Sequence, residues 1–170
     1  MDETQNRIQK AYETTYVLYE GKQTPHRSCG ICLAETFNLP TAAYQALRKG
    51  GITGMGECGA IKAGELILGE YLGDPDPTGA VTDQLRNAAL RYRELWKERL
   101  NLGHSPDHIC NNLTGQFTEF HSPERAGFCT HLAADVAAII AQVLEESGIE
   151  FMVKDILSEP GLQDNDSQTK

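Results

Sequence analysis

The residues best suited to chemistry are five cysteines: Cys29, Cys32, Cys58, Cys110 and Cys129. Cys58 has the most unusual surroundings. It follows Gly50-Gly51-Ile52-Thr53-Gly54-Met55-Gly56-Glu57 and precedes Gly59-Ala60-Ile61-Lys62-Ala63-Gly64. Five of the ten residues from Gly50 to Gly59 are glycine. Glycine permits positive φ and lets a backbone come close to a ligand. The apolar run after Cys58 predicts a helix, and a helix start offers unpaired N–H groups and a partial positive charge. Both favour a thiolate, so Cys58 is expected to be reactive or to ligate metal. Backbone donors of the loop, at Gly54, Gly56 and Gly59, are expected to serve the bound group. The loop lacks the glycine spacing of the phosphate- and dinucleotide-binding motifs, and no strand precedes it.

Cys29-Gly30-Ile31-Cys32 is a C-x-x-C pair, readable as a redox dithiol, half of a zinc site or part of an iron–sulfur site. No strand precedes it, as a thioredoxin-like motif requires, and Leu33 stands where a c-type haem motif has histidine. Cys110 lies in His108-Ile109-Cys110-Asn111-Asn112, and Cys129 lies in Gly127-Phe128-Cys129-Thr130-His131. Cys129 is expected at the start of the last helix. Two helix starts, at Cys58 and Cys129, aimed at one spot would stabilise a negative centre such as a thiolate-bound cluster. His26, His104, His108, His121 and His131 fall around these segments. His108 and His131 are read as partly exposed histidines ahead of ligands. Glu57, if close, would raise the Cys58 thiol pKa.

The elements that must position these residues read as helices. Apolar spacing predicts a helix over 5–20 with Gly21 as its stop. Another starts at the N-cap Ser28 and runs to Phe37, and a third follows Pro40 over 41–49. Residues 60–72 form an apolar helix expected at the centre of the fold. Thr82 or Asp83 caps a long helix to Leu100, with Leu85, Ala88, Tyr92, Leu95 and Trp96 inward. Arg86, Arg91, Arg93, Lys97 and Arg99 on that helix read as a solvated face. Residues 104–126 look irregular, and the last helix runs from Phe128 to Glu146. Residues 149–154 read as a short strand or extended arm. The expectation is an all-α, single-domain bundle of five to six helices over residues 1–157, followed by a disordered polar tail over 158–170.

The chain carries a net charge of −9 and has a pI near 5.0. That argues against nonspecific binding to nucleic acid. No run of roughly 18 apolar residues predicts membrane insertion. The polar, acidic start Met1-Asp2-Glu3-Thr4 lacks the marks of a secretion signal, so a cytoplasmic location is expected. Disulfides are rare there, and an odd cysteine count forbids complete pairing.

The run Cys58-Gly59-Ala60-Ile61-Lys62-Ala63-Gly64, with single cysteines before and after it, resembles the redox-active protein family described by the pattern C…GCAxxG…C…C. That family is similar to the non-haem part of split-Soret cytochromes. The resemblance covers residues 28–146. Cys58, Cys110 and Cys129 match the second, third and fourth cysteines of the pattern. Cys29 or Cys32 takes the first place, and Gly64 falls one position late. The resemblance implies a small helical protein, dimeric, with a cysteine-ligated iron–sulfur cluster or a dithiol. On this reading Cys29, Cys58, Cys110 and Cys129 are the metal ligands and Cys32 an alternative or fifth thiol. The function is electron transfer or redox sensing with a redox partner. The competing readings are a metal-free thiol–disulfide oxidoreductase using Cys29, Cys32 or Cys58, a zinc-stapled fold, and a structural or small-ligand-binding helical module.

Overall fold

The computed structural model describes residues 1–156 and Ser158. It is all-α, with six α-helices and one 3-10 helix among the described residues. The helices are α1 (Glu3–Glu20), α2 (Cys29–Thr36), α3 (Gly59–Leu72), α4 (Asp83–Arg99), α5 (Cys110–Thr114) and α6 (Pro123–Glu146). A 3-10 helix spans Ala42–Leu47, where a third full helix was expected. The tail expected to be disordered lies, Ser158 aside, outside the described residues.

Caps explain most boundaries. The Asp2 side chain accepts from Gln5 N at 2.8 Å, one turn before the expected start of α1. Gly21, at φ 75°, closes that helix. Thr82 Oγ1 accepts from Leu85 N at 3.1 Å and so selects the first residue of α4. Ser122 accepts from Arg125 N at 3.2 Å, with Pro123 in the first turn. A proline there costs nothing, because its missing N–H would be unpaired anyway. α6 therefore begins at Pro123 and not at Phe128, which puts Cys129 in the second turn of the helix.

Two helices share the centre. α3 packs on α2, α4 and α6, as its apolar composition predicts. α6 packs on α1, α2, α3 and α4, and its most extensive interface is with α1. By length and composition α6 would also pass for a membrane span, contrary to the expectation, yet 61% of its most apolar window is buried inside the bundle. Leu132, Val136, Ile140, Val143 and Leu144 line its inner face. Burying each such side chain contributes about 1.5–3 kcal/mol.

Residues 149–156 form an extended arm, not a strand. Lys154 N donates to Thr36 O at 2.8 Å, while Phe151, Val153 and Ile156 are buried. Glu35 clamps this arm to α2 through Lys154 Nζ at 2.7 Å and also takes Arg27 Nε at 2.8 Å. The isolated antiparallel bridge Glu57–Ile109 ties the glycine loop to the segment before α5.

Candidate functional site

The cysteines reach their places through four separate devices. Cys29 is the first residue of α2 and has a φ of 37°, a left-handed value that L side chains rarely adopt. Cys58 caps α3. Cys110 opens α5. Cys129 projects from the second turn of α6, so its N–H is spent within the helix and not offered outward. The expected pair of helix starts, Cys58 and Cys129, is thus replaced by three starts, at Cys29, Cys58 and Cys110.

The glycine loop fixes Cys58 against Cys110. Cys58 N donates to His108 O at 2.8 Å, Cys110 N to Gly56 O at 3.0 Å and Asn111 N to Gly54 O at 2.8 Å. Gly50, at φ 58°, lies so close to Cys110 that a Cβ there would sit 2.4 Å from the Cys110 Cβ. Gly54 and Gly56 spend their own N–H groups on Lys49 O and Gly50 O. Their part here is to offer carbonyls to the α5 segment and to admit close packing. Gly59 performs the same service between helices: a Cβ there would stand 2.2 Å from Leu47 O and 3.0 Å from the Cys29 Cβ.

Cys29, Cys110 and Cys129 line one cavity of about 500 Å³, together with Tyr19, Lys49 and Arg125 among others. Cys58 does not line this cavity but lies within electrostatic reach of both Cys29 and Cys129. Residues from four distant stretches of chain therefore gather at one place. Backbone N–H groups lie near two of the sulfurs: that of Lys49 lowers the Cys29 thiol and those of Ala60 and Ile61 lower the Cys58 thiol, although the Cys58 side chain makes no capping hydrogen bond.

The thiols of Cys29, Cys58 and Cys110 are held in the neutral form. Burial pushes the Cys29 thiol up to about 11, helped by Cys129 and Cys110 and opposed by the Lys49 N–H. Burial lifts Cys58 well above the ordinary thiol range, with Cys29 adding to it and the Ile61 and Ala60 N–H groups opposing. Cys110 is raised by burial and by Cys129, against Lys49 and Arg125. The thiolate expected at Cys58 from its helix start is therefore not favoured in the protein alone; desolvation outweighs the N–H groups.

Cys32 takes no part in this gathering. It is fully buried in the core, its thiol donates to Cys29 O at 2.8 Å, and it does not line the cavity. The histidines are engaged elsewhere or stand at the rim. His108 Nε2 pairs with Glu57 Oε1 at 2.8 Å and its ring lies 4.9 Å from Trp96. His131 is exposed and meets Tyr12 Oη at 3.0 Å. His26 bonds Tyr19 O through Nδ1, and His26 and His121 both border the cavity. Glu57, held by His108 and Lys62, has its carboxyl lowered and is not among the groups that raise Cys58.

Sequence reasoning did not find Tyr19, Lys49, Phe120 and Arg125. Tyr19 read as a core position on α1, and Arg125 lay in a stretch taken for irregular chain. The signal for Arg125 was the Ser122-Pro123-Glu124 cap, which places it one turn before Cys129. Among the described residues, no group of three or more His, Cys, Asp or Glu side chains is set to hold a metal ion. The thiols are gathered but not clasped as tightly as a tetrahedral zinc at about 2.3 Å from each sulfur demands. Comparison with family models, with curated proteins and with solved structures finds no match.

Proposed function

We propose that this protein is a redox-active carrier or sensor whose Cys29, Cys58, Cys110 and Cys129 hold an iron–sulfur cluster. One observation carries the reading: cysteines from α2, α5 and α6 line one cavity, and Cys58 at the α3 cap lies within electrostatic reach of two of them. The donor set suits such a group. Soft sulfur ligands select iron–sulfur clusters over hard cations. N–H groups of Lys49, Ala60 and Ile61 lie near two of the sulfurs, and the cations Lys49 and Arg125 offset negative charge nearby. The cluster would supply one-electron chemistry at a potential set by these hydrogen bonds, the local charge and solvent access. Sulfurs around a cubane stand roughly 6–7 Å apart, a wider spread than one zinc ion accepts.

The thiol–disulfide reading has less support. A nucleophilic cysteine needs a lowered pKa, and Cys29, Cys58 and Cys110 are raised. Cys32, the resolving thiol of a C-x-x-C pair, is sealed in the core.

The test is anaerobic purification and reconstitution with iron and sulfide, followed by metal and sulfide analysis and visible and electron-paramagnetic spectra. The expected result is a brown protein whose spectrum is lost in Cys58→Ser and Cys129→Ser and kept in Cys32→Ser. A colourless, metal-free and fully helical protein after reconstitution would falsify the proposal.

A further inference from the structure

The chain has a net charge of −9, yet the mouth of the cysteine cavity is basic. Arg48, Lys49 and Arg125 line it, and none of the three is ion-paired with a carboxylate of the described residues. His26 and His121 border it as well. The single acid on its wall, Glu20, is held by Lys22 at 2.8 Å. Glu119 and Glu124 neighbour this segment in sequence but do not line the cavity.

Apolar groups are mixed with these cations. Phe120, 37% exposed, has Lys49 Nζ at 5.1 Å and Arg125 Cζ at 4.3 Å from its ring centre. Beside Lys49, the tip of the glycine loop folds back: Ile52 N donates to Arg48 O at 2.6 Å and Gly54 N to Lys49 O at 2.8 Å. That fold leaves Ile52 62% and Met55 72% exposed in the loop that directly follows the cavity-lining Arg48 and Lys49. Arginine, methionine and aromatic residues are the types enriched in protein interfaces. Small, charge-steered interfaces are typical of electron-transfer encounters.

We propose that this basic, apolar-studded rim is the docking surface for an acidic protein that carries one electron. The inference rests on the redox reading of the cavity and names the partner of that same site. The opposite charge selects the partner's acidic face, although the two proteins repel overall. In the encounter one electron passes between the carrier and the group held by the cysteines, and no bond is made or broken.

Two arms test it. In the first, reduced plant-type ferredoxin, an acidic carrier, is mixed with the oxidised iron-loaded protein in a stopped-flow instrument. The reduction rate is expected to fall about tenfold between about 20 and 200 mM salt, as attraction between unlike charges is screened. Arg48→Glu is expected to lower the low-salt rate at least about threefold. Arg86→Glu makes the same change in net charge on exposed α4 and is expected to leave the rate unchanged. In the second arm, metal-free protein is treated with the doubly anionic disulfide 5,5′-dithiobis(2-nitrobenzoate) and with neutral dithiodipyridine. The anionic reagent is expected to slow with added salt and in Arg48→Glu; the neutral one is not. Anionic-reagent or ferredoxin rates that rise with salt, as the overall charge dictates, overturn the proposal. Equal effects of Arg48→Glu and Arg86→Glu overturn it as well. A chain that takes up no redox group defeats the earlier reading and the carrier with it, while the reagent arm still reports the charge of the mouth.

Discussion

Gly59 and Gly69 lie on the same helix, and replacing each by alanine is expected to shift stability in opposite directions. At Gly59 a Cβ would stand 2.2 Å from the Leu47 carbonyl oxygen, 3.1 Å from its carbon and 3.0 Å from the Cys29 Cβ. Ordinary contact begins near 3.4 Å, so the start of α3 must retreat by about 1 Å from the 3-10 helix and from α2. A backbone oxygen cannot rotate aside as the end of a long side chain can. Overpacking of this kind costs about 1–3 kcal/mol. The gain in helix propensity, at most about 1 kcal/mol, is small at a first helical position. A net loss of about 2 kcal/mol lowers Tm by about 4–8 °C in a chain of this size. At Gly69 nothing lies within 4 Å of the added Cβ. There the propensity term acts alone, and Tm is expected to rise by about 2–4 °C. The functional consequence differs too. The retreat at Gly59 separates Cys58 from Cys29, so Gly59→Ala is expected to lose most of its iron on anaerobic reconstitution while Gly69→Ala keeps it. Thermal unfolding followed by circular dichroism, with iron analysis on the same samples, reads both effects. Equal Tm shifts for the two variants, or full iron content in Gly59→Ala, would refute the reasoning.

Cys32→Ala removes one buried sulfur from the core and is expected to cost about 1 kcal/mol by denaturant titration while leaving the reconstituted spectrum intact. Alkaline pH is expected to destabilise the metal-free protein. The Cys29 thiol titrates at about 11 in the fold against an ordinary 9.0. Its contribution is therefore complete below pH 9 and disappears as pH rises through 11, about 3 kcal/mol in all. Urea midpoints measured from pH 8 upward check this, and a flat profile between about pH 9 and 11 would contradict it. Lys49→Gly relieves a left-handed residue at φ 48° but loses the contact of Lys49 with Phe120, so the stability of the metal-free chain is expected to change by less than about 1 kcal/mol. The same change removes a cation that lowers the Cys110 thiol, so thiol titration is expected to move upward.

The fold was legible where periodicity and capping agreed. Gly21 and Thr82 mark helix ends in the sequence, and the structure uses both, while Ser28 stands at the N-cap of α2 without making a cap bond. Legibility failed where short elements depend on partners distant in sequence. α5 is only five residues long and is held by hydrogen bonds from Cys110 and Asn111 to the glycine loop more than fifty residues earlier. No local pattern announces such an element, because its stability is tertiary. The start of α6 could have been read: Ser122-Pro123-Glu124 combines an N-cap, a first-turn proline and an acidic first turn. Pro123 falls in the stretch read as irregular, whereas its place in the first turn makes it a helix starter. The choice between Cys29 and Cys32 was not legible in sequence. Both fall near one helix start, and only the packing of α2 shows which thiol faces the cavity.

The backbone around the cavity is itself informative. Cys29 and Lys49 both hold left-handed φ values without being glycine, and the Lys49 N–H is near enough to lower the Cys29 thiol. Each such residue costs on the order of 1–3 kcal/mol and persists only where its surroundings over-determine it. Lys49 is followed directly by Gly50 and Gly51, so the chain has glycine at hand for this turn. A lysine in that conformation makes physical sense if its side chain returns the strain. It does so here by lying over Phe120 and setting a positive charge near Cys110. Cys29, the other left-handed residue, lines the same cavity as Cys110 and Cys129. Strain at these two positions and neutral thiols between them describe a site that the apolar core alone would not build. On the proposed reading, a thiolate-binding group would offset the remaining cost, since ligation releases the thiol protons that burial otherwise retains.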